Sequence, residues 1–370
     1  MMQTNNPKIM HVILSMQVGG AERLVSDMVR YPAFAANKPI VCCLDTIGEL
    51  GEKLLQDGYT VYCKGRQPGL DVTVIGWLRE IMKREHVEVV HAHQYSPLFY
   101  TVPAAFLSGR KKLVYTEHGR FHPERKSWKR MIFNPLLSLG VDHLVAISAA
   151  TAQAMARYDN FPLSRIKVIH NGIDCSTMNR ESNNSSKRQE LGLDSSCRIL
   201  GTAGRLNSIK NMSMMIRGLK LVLHQVPDTY LVIAGQGEER EMLQRLADQL
   251  DVGDRVKFIG LRFDLPEIYP LFDVFLLTSF TEGISVTLLE AMASGVPAVV
   301  SDVGGNREIV LDGKSGYLVP VDDDLLLAQK VVTLLKDGKL GAQMGKVAKQ
   351  RVQDQFSVDG MIRRYRKLYN

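Results

Sequence analysis

Phe280-Thr-Glu-Gly-Ile-Ser-Val-Thr-Leu-Leu-Glu-Ala-Met-Ala-Ser-Gly-Val-Pro297, read with the run Asp273-Val-Phe-Leu-Leu-Thr278 before it, spells out one βα unit. The apolar run has strand length. Ser285 is placed to cap a short helix, Gly295 to end it in the left-handed conformation, and Pro297 prevents continuation. Glu282 then lies in the loop at the strand's carboxyl end and Glu290 in the helix's second turn. Helical side chains tilt toward the N-terminus, which brings Glu290 back toward the same spot. Free amides at a helix start attract phosphate, and carboxylates suit sugar or ribose hydroxyls. The pair therefore reads as a sugar-nucleotide pocket. An ordinary βα unit with two solvated glutamates has the same spacing.

Outward from this unit, short apolar runs alternate with helical-length segments, as in parallel sheets built from βαβ units. The first half supplies expected strands at 9–16, 40–44, 60–63, 87–91, 113–116, 143–147 and 167–170. A polar stretch, 176–190, reads as an exposed linker. The pattern then restarts at 199–203, 230–234, 256–259, 274–277, 298–301 and 316–319. With 370 residues, 45% of them apolar, the chain suits two α/β domains. No apolar run reaches the length of a membrane span, and the N-terminus lacks a secretory layout. Cys42, Cys43, Cys63, Cys175 and Cys197 show no metal or redox spacing, which suits a reducing cytoplasm. The charge of +7 is uneven: residues 1–174 hold 21 Lys/Arg against 15 Asp/Glu, the rest 25 against 24. An anionic partner beyond a nucleotide would meet the first half. Within it, the basic segment 110–133 mixes cations with Phe121, Trp128, Met131, Ile132 and Phe133. That composition suits a surface touching anionic lipid or a lipid-linked phosphate. A half-buried helix whose apolar face packs on the sheet and whose charges are solvated is the favoured reading of the same composition, and no recognised nucleic-acid module is present.

Three further constellations fall at expected strand ends. Gly19-Gly20 lets backbone come close to a ligand and precedes a helix start, without the G-x-G-x-x-G of a dinucleotide site. Arg205 offers a planar fork to phosphate oxygens and Lys210 a point charge five residues on. His118 follows the strand Leu113–Thr116. His91 and His93 form a His-x-His after another strand, but no Cys or carboxylate completes a zinc site with His118 or His122, so no metal is expected. Gly313-Lys314-Ser315 imitates a P-loop end but precedes a strand, and Asp322-Asp323-Asp324 opens a helix, where acidic residues suit the dipole.

The strings Glu-Gly-x-x-x-x-Leu-Leu-Glu-Ala-Met-Ala-Ser-Gly-x-Pro at 282–297, Gly-Arg-x-x-x-x-Lys-Asn at 204–211, Gly-Gly-Ala-Glu-Arg at 19–23 and Thr-Glu-His-Gly at 116–119 resemble the family 4 (group 1) retaining glycosyltransferases. The resemblance spans nearly the whole chain. It implies the GT-B fold, two Rossmann-like domains facing each other across a cleft: 1–174 on the acceptor side, joined by the terminal helix 356–370, and 175–355 for the donor. It implies that Arg205 and Lys210 clamp the leaving diphosphate, Glu290 binds ribose, and Glu282 with the Gly283 and Ile284 amides binds the transferred sugar. Gly19, Gly20 and His118 would face the donor from the first domain, with Gly235 and Phe258 bordering the nucleotide and its base. No cofactor follows, because the nucleoside-diphosphate sugar, expected to be a UDP-sugar, is itself a substrate. The expected acceptor is a glycan or lipid-linked molecule, in a cytoplasmic protein that can sit peripherally on a membrane. A different GT-B enzyme (an epimerase or phosphorylase) and a non-catalytic nucleotide-sugar-binding subunit are the alternatives. Ile284-Ser285 stands where many relatives carry an aromatic residue and then Gly or Pro, which leaves the sugar's identity open.

Overall fold

Thirteen β-strands carry the two sheets of the computed structural model, which describes residues 7–119, 127–179 and 184–370. The chain divides into two units, one running to Asn171 and including Asp359–Asn370, the other Gly172–Val358. The first holds β1 (Ile9–Ser15), β2 (Ile40–Thr46), β3 (Thr60–Cys63), β4 (Val89–His93), β5 (Lys112–Glu117), β6 (His143–Ala146) and β7 (Ile166–Val168). Its parallel sheet has the order β3-β2-β1-β4-β5-β6-β7. The second holds β8 (Arg198–Ala203), β9 (Thr229–Ala234), β10 (Val256–Gly260), β11 (Val274–Leu277), β12 (Ala298–Ser301) and β13 (Gly316–Val319), ordered β10-β9-β8-β11-β12-β13. Strands such as Val274–Leu277 and Ala298–Ser301 are buried throughout, as expected where helices cover both faces of a parallel sheet.

In each sheet the strand order reverses once, between β1 and β4 and between β8 and β11. Chain leaving the carboxyl ends of those strands parts to opposite sides, which opens the crevice where ligands bind in open α/β sheets. Every candidate from the sequence except Gly235 and Phe258 follows a strand at or beside one of these reversals.

Two readings change. The expected strand 87–91 is found instead at Val89–His93, because the preceding helix, Thr73–Arg84, is followed by a turn in which His86 has φ at 50°, and both Glu88 and Val89 amides bond Lys8 O. His93 therefore lies inside β4 together with His91, not after it. The expected linker contains the helix Asn184–Glu190. Lys187 anchors it to Asp264 at 2.9 Å, and Arg262 holds Glu190 at 2.6 Å. The terminal helix Val358–Tyr369 buries Met361, Ile362, Tyr365, Leu368 and Tyr369 on the first sheet.

The helix Trp128–Leu139 is inverted. Its buried residues are Asn134 and Ser138, while Trp128, Ile132, Phe133, Leu136 and Leu139 are all exposed. Asn134 is held inside by Tyr95 Oη, which donates at 2.8 Å, and by its own Nδ2 donating to Asp159 O at 2.7 Å. Arg120–Lys126 of the basic segment lie outside the described residues. Among the described residues no helix is long and apolar enough to cross a membrane.

Candidate active site

The second unit's site is assembled around the β8–β11 reversal. After β8 the chain turns through Arg205 into a short 3-10 turn, Ser208–Lys210, capped by the Asn207 side chain. After β11 it follows Thr278, whose Oγ1 donates to Asn211 O at 2.8 Å, and the Phe280 amide bonds Ile209 O at 2.8 Å. These bonds tie the two strand-end loops together. They place Lys210 Nζ 2.5 Å from Glu282 Oε1, which also accepts from Ser279 Oγ at 2.6 Å. Arg205 is exposed and forms no ion pair among the described residues. One cation is thus held against the carboxylate while the other is exposed at the same strand end.

Ser285 Oγ caps the helix Val286–Ala293, accepting from the Leu288 amide, and Gly295 follows the C-cap Ser294 with φ at 82°. Glu290, in the second turn, is buried, and Tyr269 Oη donates to its Oε2 at 2.8 Å. A buried carboxylate needs such a donor to remain in place. The loop between strand and helix is cradled by two residues that sequence reading missed. A methyl group on Gly304, whose φ is 49°, would lie 2.0 Å from Glu282 O, and one on Gly305 1.7 Å from Gly283 O. The Gly305 amide donates to Glu282 O at 3.2 Å. Their signal was the Val303-Gly-Gly-Asn306 string directly after β12, an echo of Gly19-Gly20 after β1.

Gly235, with φ at 139°, works at a close approach of backbones: a methyl there would meet Gly204 O at 1.8 Å. It thereby packs the Arg205 loop against the end of β9. Phe258 lies on the edge strand β10 under the Arg240 guanidinium, 3.7 Å from its ring centre. Ile284 is buried beneath the loop. Asp323 caps the helix Asp324–Lys336 while Asp322 and Asp324 pair with Arg217, so the acidic run is structural.

In the first unit, Gly19 is the N-cap of the helix Gly20–Arg30, at the end of β1, and has no side chain to cap it. His118 follows β5 and contacts His93, its Nε2 lying 2.9 Å from His93 Nδ1. Its other nitrogen, Nδ1, is buried and has no hydrogen-bond partner among the described residues. Burial lowers its pKa from 6.5 to about 4, so the imidazole is neutral at pH 7. His11, His91 and His93 lie within reach of a single ion. Hydrogen bonds already occupy both nitrogens of His91 (Tyr369 Oη, Thr116 Oγ1) and of His93 (His11, His118), each at 2.8–3.0 Å. An ion would have to break them.

Two parallel Rossmann-like sheets, with basic and acidic residues gathered at a strand-order reversal, define a GT-B protein. The chain belongs to the group 1 glycosyltransferases, and it is a glycosyltransferase. The pattern described as "Glycosyl transferases group 1" matches residues 183–351, and "Glycosyltransferase Family 4" matches 18–177. A GDP-mannose-dependent alpha-(1-6)-phosphatidylinositol monomannoside mannosyltransferase of Mycolicibacterium smegmatis is 30% identical, the match covering 80% of each chain. The N-acetyl-alpha-D-glucosaminyl L-malate synthase of Bacillus anthracis is 27% identical over 84% of this chain and 81% of its own. Anabaena Alr3699/HepE, solved in complex with UDP and glucose, shares the fold at a TM-score of 0.87, with 24% identity over 98% of both chains.

Proposed function

We propose that the protein transfers a hexose-type sugar from a UDP-sugar, with retention and without a bound metal, to a glycan or lipid-linked acceptor. One observation carries this reading: a paired cation, Lys210, and an unpaired one, Arg205, stand at the reversal that also holds Glu282, with Glu290 buried behind. Arg205 and Lys210 would receive the diphosphate and stabilise it as the glycosidic bond breaks, the electrostatic task a metal performs elsewhere. Once Lys210 turns to phosphate, Glu282 is released to accept hydrogen bonds from sugar hydroxyls. Glu290, oriented by Tyr269, would take the ribose hydroxyls. The departing phosphate would accept the acceptor's proton on the same face, as the family resemblance implies. UDP as the nucleotide is supported by the fold shared with the UDP-bound Anabaena protein.

The inverted helix supports an acceptor at an anionic membrane surface. Five large apolar side chains face outward beside Lys129 and Arg130, an arrangement suited to the headgroup boundary. Pelleting with phosphatidylglycerol vesicles tests this, and loss of pelleting in Trp128→Ser/Phe133→Ser is the expected result.

The donor reading is tested by a panel of nucleoside-diphosphate sugars in EDTA, scored by thermal shift and slow donor hydrolysis. The expected outcome is that a UDP-sugar stabilises the wild type and not Arg205→Ala. A signal that requires divalent metal, or none from any sugar nucleotide, overturns it.

A further inference from the structure

The first unit buries more imidazoles than a donor contact needs. His11 on β1 and His91 on β4 are register partners, and His93 lies two residues on, facing the same way. Three of the rings form a line that ends at His118. His11 Nδ1 lies 3.0 Å from His93 Nε2, and His93 Nδ1 lies 2.9 Å from His118 Nε2. His91 stands outside this line, with its two nitrogens on Tyr369 and Thr116.

Burial keeps the line neutral: it lowers His11 to about 3 and His118 to about 4, and holds His93 well below its ordinary value. A neutral imidazole has one N–H and one bare nitrogen. Each contact between rings needs one proton, neither two nor none. Suppose His118 carries its proton on Nδ1. Its bare Nε2 must then accept from His93 Nδ1–H, and the bare His93 Nε2 must accept from His11 Nδ1–H. Suppose instead that His118 carries it on Nε2. The same bookkeeping then puts the proton on Nε2 in all three. No mixed arrangement satisfies both contacts, and a buried contact with two protons or none costs about 1–3 kcal/mol.

We propose that His93 and His11 are positioning residues that dictate which nitrogen of His118 carries the proton, all three rings holding one common tautomer. The consequence falls on His118 Nδ1, the nitrogen of the ring without a hydrogen-bond partner among the described residues. Whether it offers a donor or an acceptor to a ligand is decided at His11, two rings away in the core. This inference rests on the reading of His118 as a donor-sugar contact only for its effect on turnover; the shared tautomer stands apart from it.

The test has two arms. In the first, ring-nitrogen NMR of the full-length protein labelled with ¹⁵N-histidine reads the tautomer of each ring directly. The same nitrogen is expected to be protonated in His11, His93 and His118, and His93→Phe is expected to leave His118 as a mixture. Unlike tautomers in the wild type overturn the proposal even if no variant folds. The second arm measures hydrolysis of whichever sugar nucleotide stabilises the wild type. His93→Phe is expected to slow it about 10- to 100-fold, on the scale of the loss when the partner that orients a metal-bound histidine is removed, and to cost nothing further in His118→Ala. His91→Phe, which disturbs the same packing outside the line, should cost the same factor in both backgrounds. An equal loss from His93→Phe in both backgrounds shows a structural role only and refutes the proposal. If His118→Ala itself turns over normally, the donor-contact reading fails while the NMR arm still decides the tautomer.

Discussion

Replacing Lys210 with Met retains the aliphatic stem and removes the ammonium. The pair it forms with Glu282 is short, 2.5 Å, and only 22% and 10% of the two side chains are exposed. An exposed pair contributes about 0–1 kcal/mol, whereas stranding one partner of a fully buried pair costs about 3–5 kcal/mol. This pair is closer to the buried case, but Ser279 Oγ continues to donate to the abandoned carboxylate. The expected loss is therefore about 2 kcal/mol. In a unit of this size that lowers the melting temperature by about 4–8 °C. Glu282→Gln should cost about half as much, since it strands the more exposed Lys210, which can swing into water, and Gln still accepts from Ser279. Calorimetry of both variants at pH 7.5, without nucleotide, reads the difference. If Glu282→Gln is as damaging as Lys210→Met, or if neither moves the transition, the ion pair is not closed in solution.

Three further outcomes follow from the same structure. Gly305→Ala places a methyl against Gly283 O, which is backbone and cannot swing aside, so it should destabilise by more than about 2 kcal/mol and abolish donor binding; a normal thermal shift with a UDP-sugar would contradict this. Tyr269→Phe removes one donor from the buried Glu290 and should cost about 1–3 kcal/mol, read by urea titration. The buried histidines make the first unit acid-labile. His11 and His118 are lowered from 6.5 to about 3 and about 4, so the unfolded chain binds those protons first. Their contribution is whole above about pH 6.5 and drains away as pH falls toward 4, at about 1.4 kcal/mol per pH unit for each group. Urea midpoints at pH 7.5, 6 and 5 should fall, and fall less steeply in His11→Phe; parallel slopes in the two proteins would count against it.

The strands were legible because each is a short apolar run with turn-forming residues on either side, and all thirteen expected runs are present. Ser285, Gly295 and Pro297 were equally plain, since caps are local chemistry. What depended on distant partners was not. The polarity of 184–190 looked like solvent exposure, yet Lys187 meets carboxylates some eighty residues away. His93 read as a loop residue because an imidazole inside a fully buried strand makes sense only once its partners, His11 on β1 and His118 just after β5, are known. The helix Trp128–Leu139 defeats periodicity in the opposite way, burying Asn134 through a tyrosine and a carbonyl from other elements. The site residues announced themselves through motif spacing, but the Lys210–Glu282 contact and the glycine cradle at 304–305 required the loops to be seen together.

Tyr369 hydrogen-bonds His91, and Tyr365 Oη lies 3.1 Å from Thr116 Oγ1, so the core of the first unit is finished by the helix Val358–Tyr369. During synthesis about 190 residues separate Asn171 from those tyrosines. At about 5–20 residues per second the ribosome takes ~10–40 s to deliver them. Through that interval the nascent first unit holds an incomplete, partly unsatisfied histidine cluster, while the second unit, contiguous in sequence, emerges whole and is free to fold first.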